Sequence, residues 1–168
     1  MPFQRGRARL QIVNESGKLD LNAAGRRQLI RFFEVGGVDP VAARQLVAAI
    51  LHWRGPVQPD DPEATSLDAY YQKESVRPRH APLQSVEEVL NVRGMSREIF
   101  FGTVEVSREG VVRPKRGLGQ DLTVATSLTP VNVNYASEYV LRSLPEISPE
   151  LARAIIQARA RAPFKSLE

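Results

Sequence analysis

The sequence has no cysteine in 168 residues, which excludes disulfides and every form of thiolate chemistry. That absence fits an oxidising or a reducing compartment equally well. No apolar run is long enough to span a bilayer or to form the core of a signal peptide. Histidine occurs only at His52 and His80, in neither a metal-ligand spacing nor beside a serine nucleophile motif. There is no Walker loop, no dinucleotide fingerprint and no paired-carboxylate motif. These absences leave no enzyme chemistry, so no catalytic, cofactor-binding or metal residue is assigned, and no small-molecule substrate is expected.

What is present is the composition of a soluble globular chain, 42% apolar and 25% charged, of a size for one domain or one domain with an insertion. The net charge is +4 with pI near 9.8. The basicity is mostly arginine and it is scattered: Arg5, Arg7 and Arg9, then Arg77 and Arg79, Arg113 and Arg116, and Arg153 to Arg161. Scatter of this kind marks a solvated surface, whereas a nucleic-acid or membrane footprint is a dense stripe.

Residues 8–13 alternate polar and apolar as a half-buried strand does, Asn14-Glu15-Ser16-Gly17 is a turn, and residues 18–21 resume the alternation. The pair reads as a hairpin, with Asn22 as N-cap of a helix through Phe33. Gly36-Gly37 breaks that helix. Asp39-Pro40 restarts one, with an acidic cap and a proline whose missing N–H costs nothing in the first turn. Its apolar face runs from Val41 to Trp53, and Gly55-Pro56 stops it. Residues 55–82 read as a long irregular connection carrying Tyr70 and Tyr71. Ser85-Val86-Glu87-Glu88 has the capping-box spacing for a short helix to Val92, Arg93-Gly94-Met95 is a turn, and Ser96 opens another short helix. Residues 103–107 and 111–113 read as strands around Glu109-Gly110, and residues 114–120 as a basic link. The last part reads as a helix to Leu144 and another from Ser148-Pro149 to Arg161.

Two internal echoes stand out. Leu19-Asp20-Leu21-Asn22-Ala23-Ala24 is repeated in type by Val131-Asn132-Val133-Asn134-Tyr135-Ala136, and each precedes two helices joined by a tight turn. This is the grammar of a helix-hairpin-helix unit, with residues 86–100 as a third, shorter member. Ala81-Pro82-Leu83-Gln84-Ser85-Val86-Glu87 is matched by Ala162-Pro163-Phe164-Lys165-Ser166-Leu167-Glu168. The second copy stops where a helix should begin, so the expectation is a truncated C-terminus with further strands beyond it.

Several segments carry a family resemblance over residues 10–168. They are Glu15-Ser16-Gly17-Lys18-Leu19-Asp20-Leu21-Asn22-Ala23, the helical hairpin ending in Trp53, Asp68-Ala69-Tyr70-Tyr71, Ser85-Val86-Glu87-Glu88-Val89, Arg93-Gly94-Met95 and Val131-Asn132-Val133-Asn134. In this order the chain resembles general secretion pathway protein K, the minor pseudopilin of type II secretion systems. The resemblance implies an α+β fold, a pilin-like strand core with a large inserted all-helical domain. It places residues 1–21 in the first part of the core, 22–102 in the insertion, and 103–168 in the return to the core plus a helical hairpin. It implies a periplasmic domain of an inner-membrane-anchored protein, touching the membrane only through an N-terminal helix absent here, with Met1 an artificial start. It also implies a protein that caps the pseudopilus and helps initiate it, in complex with the minor pseudopilins I and J. Relatives tend to carry an acidic residue before the tryptophan and more after it, where this chain has His52, Arg54 and Gly55. Some relatives bind calcium.

The alternative reading is a helix-hairpin-helix DNA-binding module of competence or repair type. Gly36-Gly37-Val38 could present backbone N–H groups to phosphate, and the middle unit keeps Gly94. In the last unit Glu146 would repel phosphate. Asp60, Asp61, Glu63 and Asp68 crowd one loop and make calcium conceivable, but Pro59 and Pro62 interrupt any EF-hand spacing, and a solvated acidic loop is the preferred reading. His52 reads as a helix-end residue and His80 as a solvated loop residue. Trp53 reads as core, and Tyr70 and Tyr71 as either core or partner anchors. Function is expected on surfaces, with the strand edges of residues 8–13 and 103–106 pairing within the core or with neighbouring pseudopilins.

Overall fold

A computed structural model describes residues 2–3, 6–7, 14–56, 62–106, 109–125 and 130–165; of residues 2–3, 6–7 and 62–63 only the backbone is considered. Two short strands, β1 (Pro2–Phe3) and β2 (Gly6–Arg7), pair antiparallel. The strand expected over residues 8–13 lies outside the described residues. Asn14 caps a 3-10 turn, Glu15–Gly17, by accepting from the Ser16 N–H. Strand β3 (Leu19–Asp20) then pairs parallel with β6 (Leu122–Thr123), so its partner comes from a hundred residues further along the chain.

Two helices follow, α1 (Arg26–Val35) and α2 (Pro40–Arg54). Asn22 is expected to cap α1, but the N-cap lies three residues later, at Gly25, without a side-chain cap. Asn22 is used elsewhere: its amide donates to the Leu83 carbonyl and its oxygen accepts the Leu83 N–H. Asp39 does cap α2, accepting from the N–H groups of Val41 and Ala42 at 2.9 and 3.0 Å. The residues between the helices turn through Gly37 at φ +87°, a conformation that favours glycine.

The expectation of an irregular 55–82 is corrected, because α3 (Pro62–Lys73) lies inside it. The prolines hid a helical signal: Ala64, Leu67 and Tyr71 are buried at the i, i+3, i+7 spacing of one helix face. The capping box is corrected too. Residues Val86–Asn91 form a 3-10 helix, Ser85 makes no cap bond, and Glu88 accepts from the Gln84 N–H. Ser96 opens α4 (Arg97–Phe101) as expected. Strands β4 (Gly102–Val106) and β5 (Val112–Arg116) pair antiparallel, and β5 takes in three residues of the stretch expected to be a link. A 3-10 turn, Gly119–Asp121, leads to β6. Ser137, and not Asn134, caps α5 (Glu138–Ser143), and Ser148 caps α6 (Pro149–Arg161).

The two sequence echoes prove to be two halves of one structural repeat. Asp20 and Asn132 each accept the N–H two residues on, from Asn22 and Asn134. Asn134 then exchanges two hydrogen bonds with the backbone of Phe164, as Asn22 does with Leu83. An arginine near the end of the second helix closes each half. Arg54 donates to the carbonyls of Leu21 and Ala24, and Arg159 to those of Val133 and Ala136. The turns match as well: Gly37, Gly94 and Glu146 all have positive φ, each three residues before a helix. The halves pack through α1 against α5. One buried cluster runs across both, including Leu19, Leu29, Phe32, Phe33, Ile50, Trp53, Tyr71, Leu122, Val140 and Leu141. The fold is therefore α+β, mostly helical with short strands.

Candidate protein-interaction surface

Strands β4 and β5 form a ribbon that leaves the body of the protein with one apolar and one polar face. In its register Val104 lies opposite Pro114 and Val106 opposite Val112, while Thr103 lies opposite Lys115 and Glu105 opposite Arg113. Directly opposed residues of an antiparallel pair share a face, so the first set makes an apolar face and the second a charged one. On the charged face Lys115 sits 3.5 Å from Glu105. On the apolar face Val104, Val106 and Val112 are 57, 64 and 62% exposed. Among the described residues, nothing covers them.

The base of the ribbon is fixed by contact too close for side chains. Gly102 has φ +91°, and a Cβ there would lie 2.3 Å from the Lys115 carbonyl oxygen. A Cβ on Gly117 would lie 2.2 Å from the Phe101 carbonyl carbon. The Leu118 N–H donates to the Ile99 carbonyl, and Arg116 reaches back to Asp121 at 2.7 Å and over the Tyr139 ring. These contacts tie the base of the ribbon to α4 and to the turn that follows β5. Proline at position 114 has no N–H to give, whereas β4 contains no proline.

A second group gathers around the single tryptophan. The Trp53 indole N–H donates to Glu88 Oε1 at 2.8 Å, Arg79 Nε donates to the same oxygen at 2.6 Å, and the Gln84 N–H donates to Oε2 at 2.9 Å. Burial works to raise the Glu88 pKa, but the bonds from Arg79, Gln84 and Trp53, with the Arg79 charge, hold it below the usual carboxylate value. Trp53 is core, as expected. Tyr71 is core as well: it is buried, its Oη accepts the Arg93 N–H, and burial pushes its hydroxyl pKa up. Tyr70 is half-buried beneath the Arg93 guanidinium, 4.7 Å from the ring centre.

His52 lies in the last turn of α2, as expected, and its side chain is buried; the reading of His80 is corrected, because it is docked against His52 with the rings edge to face at 4.9 Å. His80 is therefore not a free loop residue. His52 Nε2 lies 2.9 Å from Asp68 Oδ1 on α3. Asp60 and Asp61 lie outside the described residues, as does the side chain of Glu63. The sequence placed Asp68 among those carboxylates, and the fold places it with two imidazoles.

The turns expected to touch phosphate do not make a cationic cradle. A cleft of about 350 Å³ opens at Gly36–Gly37, but Asp39 and Glu98 line it alongside Lys115 and Arg116. Glu146 occupies the corresponding turn of the last hairpin. The DNA-binding alternative finds no support.

A family model described as Type II secretion system (T2SS), protein K matches residues 9–101, and a second of the same description matches residues 131–168. The ribbon falls between the two matches. A search of curated proteins finds no match.

Proposed function

The chain belongs to the protein K family of the type II secretion system, and from that premise we propose that it caps the pseudopilus and helps to initiate its assembly. Membership makes it a structural secretion component with a pseudopilin role, one that meets other pseudopilus components. The partners in this reading are the minor pseudopilins I and J, and the compartment is the periplasm. The reading includes a pilin-like strand core (residues 1–21 and part of 103–168) and an inserted helical region (22–102) of helix-hairpin-helix-like units. The repeat built on Asn22 and Asn134 supports such units, and α1 against α5 would then be the seam that holds the insertion to the returning chain.

The observation that carries the proposal is the uncovered valine face of the β4–β5 ribbon. A two-stranded ribbon is marginal on its own, and burying three valines against a partner would contribute several kcal/mol, at about 1.5–3 kcal/mol for each side chain fully buried. The test mixes the chain with the soluble domains of pseudopilins I and J on a sizing column. Co-elution of the three is expected, and Val104→Asp with Val112→Asp should abolish it without moving the thermal melt. Three separate peaks for the parent chain would overturn the proposal.

A further inference from the structure

The structure assigns a binding site for a borderline divalent metal ion, zinc(II) in type, to His52, Asp68 and His80. It lies away from the ribbon and does not depend on the secretion role. One ligand atom from each residue falls within 4.8 Å of the other two. Ligand atoms around a tetrahedral zinc stand about 3.3 Å apart, given metal–ligand distances near 2.0–2.1 Å. Small side-chain rotations therefore bring the three to a common centre.

Two observations point to a ligand rather than to a simple ion pair. First, the His52 side chain is only 4% exposed, and its Nε2 has no hydrogen-bond partner among the described residues. Asp68 Oδ1 is near enough, at 2.9 Å, but lies off the line that an N–H donor needs. Two donor atoms this close with no hydrogen bond between them are spaced as co-ligands are. An unsatisfied buried ring nitrogen is destabilising, and a metal would satisfy it. Second, His80 is already set up as a ligand. Its Nδ1 lies 3.1 Å from the His52 carbonyl oxygen, which can only accept. In the neutral ring Nδ1 then carries the proton, which leaves the Nε2 lone pair for a metal. Metal-bound histidines are typically held in this way, by a second-shell carbonyl on the other nitrogen. The backbone of His80 is held at φ +50°, a conformation rarely adopted without a reason.

The donor set decides the metal class. Two imidazoles and one carboxylate suit zinc and its first-row neighbours, and calcium prefers six or more oxygens. With three protein ligands, one position remains for water, the exposed side being that of Asp68. The ion would tie α3 and the loop before Leu83 to α2, a staple in a chain that has no cysteine to make one.

The test is calorimetric titration of zinc chloride into chelator-treated protein free of any histidine tag, with calcium chloride as comparison. Saturable binding of one equivalent of zinc, with no response to calcium, is expected. Asp68→Asn and His80→Gln should each weaken it by at least about tenfold. Both sites are at least partly exposed, so both variants should fold, which Trp53 fluorescence checks. Cobalt(II) should give the visible absorption of a four-coordinate site in the parent and lose it in both variants. No saturable zinc binding, binding that survives either substitution, or equal binding of calcium would overturn the assignment.

Discussion

Replacing Glu88 with alanine removes the single acceptor on which three donors converge. Its side chain is 11% exposed, so little water can take its place. The buried Trp53 indole N–H would be left without a partner, at about 1–3 kcal/mol for an orphaned buried donor. Arg79 and the Gln84 N–H would also lose a charged acceptor, though Arg79 is over a third exposed and water recovers most of its share. The expected destabilisation is about 2–4 kcal/mol, a large part of the stability of a domain this size. Glu88→Gln keeps an oxygen for the indole and should cost about half as much. Urea denaturation followed by Trp53 fluorescence measures both, because Trp53 is the only tryptophan. The pH dependence gives a second check. Since the folded-state pKa of Glu88 is lowered, its contribution is complete above the unfolded value of about 4.3 and is lost as pH falls through the folded value. The gap between parent and Glu88→Gln should therefore close as the pH is taken below about 4. An alanine variant within about 0.5 kcal/mol of the parent at neutral pH would refute the reasoning.

Two further predictions concern the frame. Arg54→Met removes the donor that ties α2 to the carbonyls of Leu21 and Ala24, and should cost about 1.5–3 kcal/mol in the same urea assay. Gly117→Ala places a Cβ against the backbone of Phe101 and Gly102, which cannot swing aside as a side chain can. A loss of about 1–3 kcal/mol or more is expected, with faster hydrogen exchange of the β4 and β5 amides, and unchanged exchange there would count against the close approach.

Local signals that act within one turn of chain were legible. Asp39-Pro40, Ser96 and Ser148-Pro149 open helices because a capping oxygen needs only the next two or three N–H groups. The echo of residues 19–24 in 131–136 was visible as a pattern of residue types. What that pattern was for was misread, since Asn22 caps no helix and bonds across 61 residues to Leu83. The same error recurs at Glu88, where the spacing announced a capping box and the side chain went mostly to Trp53 and Arg79. A polar side chain with several satisfying partners takes those that the packing brings near, and spacing lists only the local ones. Helix α3 was missed because prolines at 59 and 62 outweighed the stripe of Ala64, Leu67 and Tyr71, although proline is well tolerated in a first helical turn.

The sequence by itself determined the α+β class, the echo of residues 19–24 in 131–136, the exclusion of thiol chemistry and the resemblance to protein K, all of which depend on residue type and short-range order. Tertiary structure alone decided that three valines and a proline share an uncovered ribbon face, and that His52, Asp68 and His80 converge. The first depends on a cross-strand register, and the second on α2, α3 and a loop meeting in space. Neither is a function of distance along the chain.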